Sequence, residues 1–227
     1  MMNELLQLYL PNVLPLKEEI IQSIWETLYM TGWTALLAGV LGIFLGVILV
    51  VTDRGGILAN PRLYDHLDRA INTFRSVPFI IMLALIGPVT RLIVGTTIGP
   101  TAAIVPLVVG TVPFYSRQVQ NALLEVDSGV IEAAEAMGSS PLEIIFRVYL
   151  KEGLPSIVRV SSVTIINLIG LTAMAGAIGG GGLGNLAISR GYNRFQDDVT
   201  LVATGAILVI VFISQFIGNY FVKKTSH

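Results

Sequence analysis

Two stretches of this chain, residues 27–52 and 199–222, run without a single charged side chain. Each exceeds the roughly 20 helical residues needed to cross about 30 Å of hydrocarbon. That constrains the chain, before anything else, to be a protein of the bilayer. Composition agrees: 53% of residues are hydrophobic and 13% charged, against about 25% charged in an ordinary soluble domain. An all-α, polytopic membrane protein is the fold class these stretches imply.

Three further spans can be placed. Residues 154–186 carry Arg159 near their start and Asn167 within, and end in glycines, which puts a helix at 155–178. Between Ser76 and Ser116 only Arg91 is charged, and "VGTTIGP" at 94–100 has the Gly, Thr and Pro of a turn. The turn divides this region into spans at 72–94 and 100–118, giving five with 27–52 and 199–222. The second is the weakest, because residues 76–90 alone fall short of the membrane, so Arg75 or Arg91 must sit at an interface and snorkel outward. Residues 1–20 have no basic leader and no small-residue cleavage site, and read as a peripheral segment on the outside.

Orientation follows from Lys and Arg, which are enriched in cytoplasmic loops. Arg54, Arg62, Arg69, Arg75, Arg117, Arg147, Lys151, Arg159, Lys223 and Lys224 fall on one side; Lys17, Arg91, Arg190 and Arg194 fall on the other. The N-terminus is therefore expected outside and the C-terminus in the cytoplasm, with residues 119–153 a cytoplasmic loop. Within that loop Asp127 or Ser128 can N-cap a short helix that ends at Gly138. Ser140 restarts a helix with Pro141 at its first position and Glu143 three residues on, a capping-box pattern. A two-helix loop of this length is uncommon as mere connection.

The residues "EAAEAMGSSPLEIIFRVYLKEGLP" at 132–155 resemble the EAA loop of ABC importer permeases, with Glu132, Ala133, Ala134, Gly138, Leu154 and Pro155 at the matching positions. "NTFRSVPFIIML" (72–83), "TRLIVGTTIGPTAAIVPL" (90–107), "VPFYSRQVQNALLEV" (112–126) and "TAMAGAIGGGGLGNLA" (172–187) are similar to the permeases of bacterial methionine importers. The resemblance covers residues 25–224. It implies the type I importer permease fold with a cytoplasmic coupling helix between spans 3 and 4, in the cell (inner) membrane. It also implies four kinds of partner: two cytoplasmic ABC ATPase subunits, a second copy of the chain, an extracytoplasmic substrate-binding protein and the lipid bilayer. The substrate implied is methionine, carried by alternating access; another amino acid or a quaternary amine stays open.

What the resemblance implies for the loop is specific. Its first helix would lie in a groove on the ATPase, where Ala133 and Ala134 would let the backbones approach, Glu132 would offer a charged contact, Met137 would join them and Gly138 would permit the turn. Met174, in "TAMAG", falls where such permeases narrow the pathway. Core packing is the commoner role for a methionine, for Met174 as for Met30. Asn167 could contact a polar substrate, although interhelical hydrogen bonding is its commoner use. Pro78 fixes or kinks the start of its helix and completes the pathway candidates.

Several functions are excluded or disfavoured by the residues themselves. The glycines of "GAIGGGGLGNL" (176–186) lack the Lys and Ser/Thr that a phosphate loop requires after its last Gly, and they follow a membrane helix instead of a strand. They read either as a flexible mouth or as a segment packed tightly against its neighbours. The absence of cysteine removes disulfides and thiol chemistry. With only His66 and His227, and His66 read as part of a solvated cluster with Asp65 and Asp68, no metal or catalytic set is assembled. No cofactor is expected, and the net charge of −1 gives no footprint for nucleic acid. A stand-alone secondary transporter is disfavoured by the lack of internal repeats and intramembrane charges. ATP hydrolysis is thus expected in a partner and not in this chain.

Overall fold

The computed structural model describes residues 10–225. The expected peripheral segment falls outside them at residues 1–9, and the remainder differs from expectation. A single 3-10 turn, Leu14–Leu16, leads directly into helix α1, Lys17–Thr52. The helix starts early because Glu18 and Glu19 complement the positive end of the dipole in its first turn. Gln22 Nε2 then donates to Glu26 Oε1 at 2.8 Å, one turn on. At 1.5 Å per residue α1 is about 54 Å long, well beyond the hydrocarbon thickness.

The span expected at 72–94 is two helices. Helix α2, Pro61–Ser76, is capped by Asn60, whose side chain accepts from Leu63 N at 3.2 Å. It is strongly amphipathic, and its charged residues keep it from crossing on its own. Val77 is extended (φ −80°, ψ 123°), as a residue before proline tends to be, and helix α3 begins afresh at Phe79–Val94. The apolar part is then 16 residues, about 24 Å.

Helix α4, Pro100–Leu124, runs six residues past the expected end at 118, because Val119, Ala122 and Leu123 continue a buried face. Short helices α5, Ser128–Ala136, and α6, Pro141–Ile144, follow; a π-helical turn, Ile145–Tyr149, and Leu150–Glu152 extend α6. Helix α7, Leu154–Ala175, continues into a broken π turn, Gly176–Gly180, then the short α8, Gly182–Asn185, another π turn, Leu186–Gly191, and α9, Asp197–Thr225. No strand occurs among the described residues.

By length and apolarity alone, Leu14–Thr52, Leu154–Gly180 and Asp197–Thr225 can cross a membrane, and the broken pair α2–α3 makes a fourth crossing if counted as one. Helix α4 has the length, but Pro106, Pro113, Tyr115, Ser116 and Arg117 dilute its apolar character. Large side chains such as Trp25, Phe44, Phe212 and Phe216 are more than half exposed on α1 and α9. In water such faces would be costly; against lipid they are not.

The chain forms two units. The first draws on residues 10–36, 78–108 and 165–214. One of its cores gathers Met30, Ala103, Leu107, Leu168 and Ala175, and the other gathers Ile169, Leu183, Leu186, Val199 and Ala203. The second unit draws on residues 37–77, 109–164 and 215–225. Its core joins Val50 and Val51 of α1 to Tyr115, Val119 and Leu123 of α4, Ala134 of α5 and Ile144, Ile145 and Tyr149. Here α1 meets α4 closely: a Cβ on Gly46 would lie 2.6 Å from Val119 Cγ1.

Candidate functional site

The helix–turn–helix after α4 is built by its own caps. Asp127 Oδ1 accepts from Gly129 N at 2.6 Å and starts α5. At the other end Gly138 N donates to Glu135 O (2.9 Å) and Ser139 N to Ala134 O (3.1 Å), the paired bonds of a Schellman turn. Gly138 holds φ +82° there, a conformation that side chains resist. Ser140 and Glu143 then form a reciprocal capping box: Ser140 N donates to Glu143 Oε2 at 3.0 Å, and Glu143 N to Ser140 Oγ at 3.4 Å. These backbone and hydroxyl donors of Ser140, backbone first, lower the Glu143 pKa from its ordinary value; burial opposes them, and Arg147 lowers it by the least.

The two helices divide their residues by face. Ala134 is 5% exposed and turned into the unit's own core, so of the sequence-expected set it offers no surface to another molecule. Glu132, Ala133, Met137 and Gly138 are exposed, Met137 to 79%. Leu142 and Phe146 join them, 66% and 65% exposed. Sequence reasoning passed over these two; their signal was an i,i+4 apolar pair in a stretch where Ile144, Ile145 and Tyr149 are buried. The π turn at Ile145–Tyr149 shifts the register between the two faces.

Below the loop, Asp68 of α2 does not belong to a merely solvated cluster. It forms an ion pair with Arg117 of α4, which also donates to Gln120 Oε1 at 2.6 Å and Asn72 Oδ1 at 3.2 Å. His66 is exposed, its Nδ1 2.6 Å from the Arg62 carbonyl.

In the first unit the glycines of 176–186 serve close packing. A Cβ on Gly182 would meet Thr27 Oγ1 at 2.7 Å and Met30 Cε at 2.9 Å, and one on Gly184 would overlap the Ala173 backbone. The start of α8 is capped from α1: Glu26 Oε2 accepts from Gly182 N at 2.7 Å, and Thr27 Oγ1 from Leu183 N at 2.9 Å. Of the pathway candidates, Asn167 is exposed on α7, as is Met174 at 41%. Asn167 makes no interhelical hydrogen bond among the described residues. Pro78 is the N-cap residue of α3, its carbonyl accepting from Ile81 N (2.9 Å) and Met82 N (3.0 Å).

A family model described as the inner membrane component of binding-protein-dependent transport systems matches residues 40–227. The chain belongs to that transport family. Among its relatives, the probable D-methionine transport system permease protein MetI of Vibrio cholerae is 45% identical over 208 residues, 92% of each chain. The methionine import system permease protein MetP of Bacillus subtilis is 47% identical over 211 residues, 93% of this chain and 94% of that one. A chain of the inward-facing MetNI methionine ABC transporter superposes with a TM-score of 0.92 at 43% identity, over 94% of this chain and 99% of that one. An amino acid ABC transporter crystallised with histidines shares the fold at a TM-score of 0.77 and 16% identity. As a member of the family, this multi-pass inner-membrane permease has the type I importer fold.

Proposed function

We propose that the chain is the membrane-spanning subunit of an ATP-driven methionine importer, working as a homodimer with two cytoplasmic ATPase subunits and an extracytoplasmic binding protein. The observation that carries this is the 45% and 47% identity, over 92% and 93% of the chain, to permeases named for methionine. ATP hydrolysis belongs to the partner, and the work enters through the exposed face of the α5–α6 loop. There Glu132, Ala133 and Met137 meet the ATPase, with Leu142 and Phe146 extending the apolar contact and Gly138 setting the angle between the helices. Ala134 contributes from beneath, by locking α5 to the core. The N-terminus lies outside and the C-terminus inside, supported by the Lys and Arg asymmetry of the loops. In the membrane, Met174 serves as a gate, Asn167 lines the pathway beside it and Pro78 fixes the entry of α3.

The test is reconstitution of the permease with its ATPase and binding protein in vesicles, with uptake of labelled methionine followed with and without ATP. ATP-dependent uptake, lost in Met137→Glu while the isolated permease melts as the wild type does, is the expected result. Uptake by the permease alone, or none under any condition, would sink the reading.

A further inference from the structure

Helix α2 turns only part of its surface inward. Tyr64, Asp68 and Asn72 are bonded to α4: Tyr64 Oη accepts from Gln120 Nε2 at 3.4 Å, and Arg117 holds the other two. Ile71, on the same side, is 5% exposed. Two rows on the other side are exposed. Arg62, His66 and Arg69 recur at intervals of four and three, which sets them on one line along the helix. Leu63, Ala70 and Phe74 make a second line, about 100° around the helix from the first. Neither arginine forms an ion pair among the described residues. Half-buried Asp65 stands on the far side of the basic row from the apolar one.

Both ends of α2 are tied to membrane helices. Leu58 N donates to Val51 O and Asn60 N to Thr52 O, each at 2.9 Å, so the chain before α2 folds back onto the end of α1. Asn60 is also the residue that caps α2. At the other end Val77 and Pro78 alone separate α2 from the apolar α3. A 16-residue helix, about 24 Å long, is thus held at each end beside a helix that enters the bilayer. Its exposed side then meets the membrane surface, where a row of Leu and Phe can dip toward the acyl chains. The neighbouring row of arginines reaches the head groups.

We propose that α2 docks on anionic phospholipid, with Leu63 and Phe74 at the acyl boundary and Arg62 and Arg69 on the head-group phosphates. A zwitterionic lipid offers the same apolar layer, but its own ammonium competes for the phosphate. The guanidinium groups therefore select the anionic lipid. Through Tyr64 and Gln120, and through Asp68 and Arg117, the lipid layer then steadies the end of α4 that leads into α5. The proposal needs the bilayer but not the methionine reading.

The experiment reconstitutes the permease–ATPase complex in vesicles of phosphatidylcholine and phosphatidylglycerol in equal parts. The photoreactive p-benzoylphenylalanine replaces Leu63 or Phe74, and the lipid cross-linked on illumination is identified. With both arginines present, phosphatidylglycerol is expected to be labelled roughly 10-fold over phosphatidylcholine. Arg62→Gln should cut the preference read from position 63 about 5-fold, and Arg69→Gln the preference read from both positions. Arg62→Lys and Arg69→Lys should keep most of it, and high salt should reduce it. Equal labelling of the two lipids with both arginines present, or a preference that neither Gln variant moves, overturns the selection of anionic lipid. Cross-links to the ATPase in place of lipid give the face a protein partner and overturn the docking. Cross-links to neither leave it facing water, and overturn it equally.

Discussion

The carboxylate of Glu26 accepts the backbone N–H of Gly182 at 2.7 Å, across 156 positions of sequence. Gly182 is buried and, at φ +71°, opens a helix whose first amides have no partners of their own. Glu26→Ala should therefore cost about 1–3 kcal/mol, the penalty of a stranded buried donor. Glu26→Gln, which keeps an acceptor, should cost less. Thermal melting of the two purified variants in detergent checks the order; equal melting temperatures would remove Glu26 from the cap.

Gly138 makes a different demand, on the backbone alone. A Cβ there would meet nothing within 4 Å, so the obstacle to substitution is φ +82° and not crowding. Gly138→Val should lose about 1–2 kcal/mol locally and uncouple ATP hydrolysis from uptake, whereas Gly138→Asn should retain most of both. Hydrogen exchange at residues 135–140, with uptake per ATP hydrolysed, reads the two effects separately.

The ion pair of Asp68 and Arg117 is partly shielded, with side-chain exposures of 27% and 17%. Arg117 Nε is already without a partner among the described residues. Removing Asp68 alone, as in Asp68→Ala, strands the guanidinium and should cost about 1–3 kcal/mol, while Asp68→Ala combined with Arg117→Met should recover part of it. A double-mutant cycle on melting temperature gives the coupling.

Glu143 gives the loop a pH dependence with a definite sign. Its pKa is lowered in the folded chain by donation from the Ser140 N–H and O–H, so the cap's contribution is complete above the ordinary carboxylate pKa. It is lost as pH falls through the depressed value. Amide exchange at Ser140 should stay slow through mildly acid pH and quicken only below the ordinary carboxylate range; in Ser140→Ala it should quicken at higher pH.

The loop was legible in the sequence because its structure is made by neighbours. Asp127 and Gly129, Ser140 and Glu143, and Gly138 against Glu135 all lie within three residues of one another, so residue type and spacing suffice. The early start of α1 was hidden because its charged first turns look unlike a span, yet Glu19 is held by Arg190 at 2.7 Å and Glu26 by Gly182. Asp68 was misread for the same reason: its partner stands 49 residues away. The tight packing of the glycines at 176–186 could not be separated from flexibility by sequence, since glycine serves both. Ala134 and Ala133 are identical in type, and only the side of the helix tells which is buried.

Phe146 and Leu142 should behave as interface residues. Phe146→Ala and Leu142→Ala are expected to weaken assembly with the ATPase several-fold while leaving the unfolding free energy of the isolated permease within about 0.5 kcal/mol of wild type. Ala134→Leu, by contrast, should lower the melting temperature by overpacking.

Both units are stitched from three separated lengths of chain, and this bears on how the protein is made. The core around Ile169 and Leu183 takes Ile24 from the first helix and Val199, Ala203 and Ile210 from the last, so it cannot close until the final helix has left the ribosome. Glu26 and Thr27 meet their partners sooner, once Gly182 and Leu183 of α8 have emerged. A chain cut short before α9 therefore keeps the bonds between α1 and α8 but leaves Ile24, Ile169 and Leu183 without the apolar face of Val199, Ala203 and Ile210.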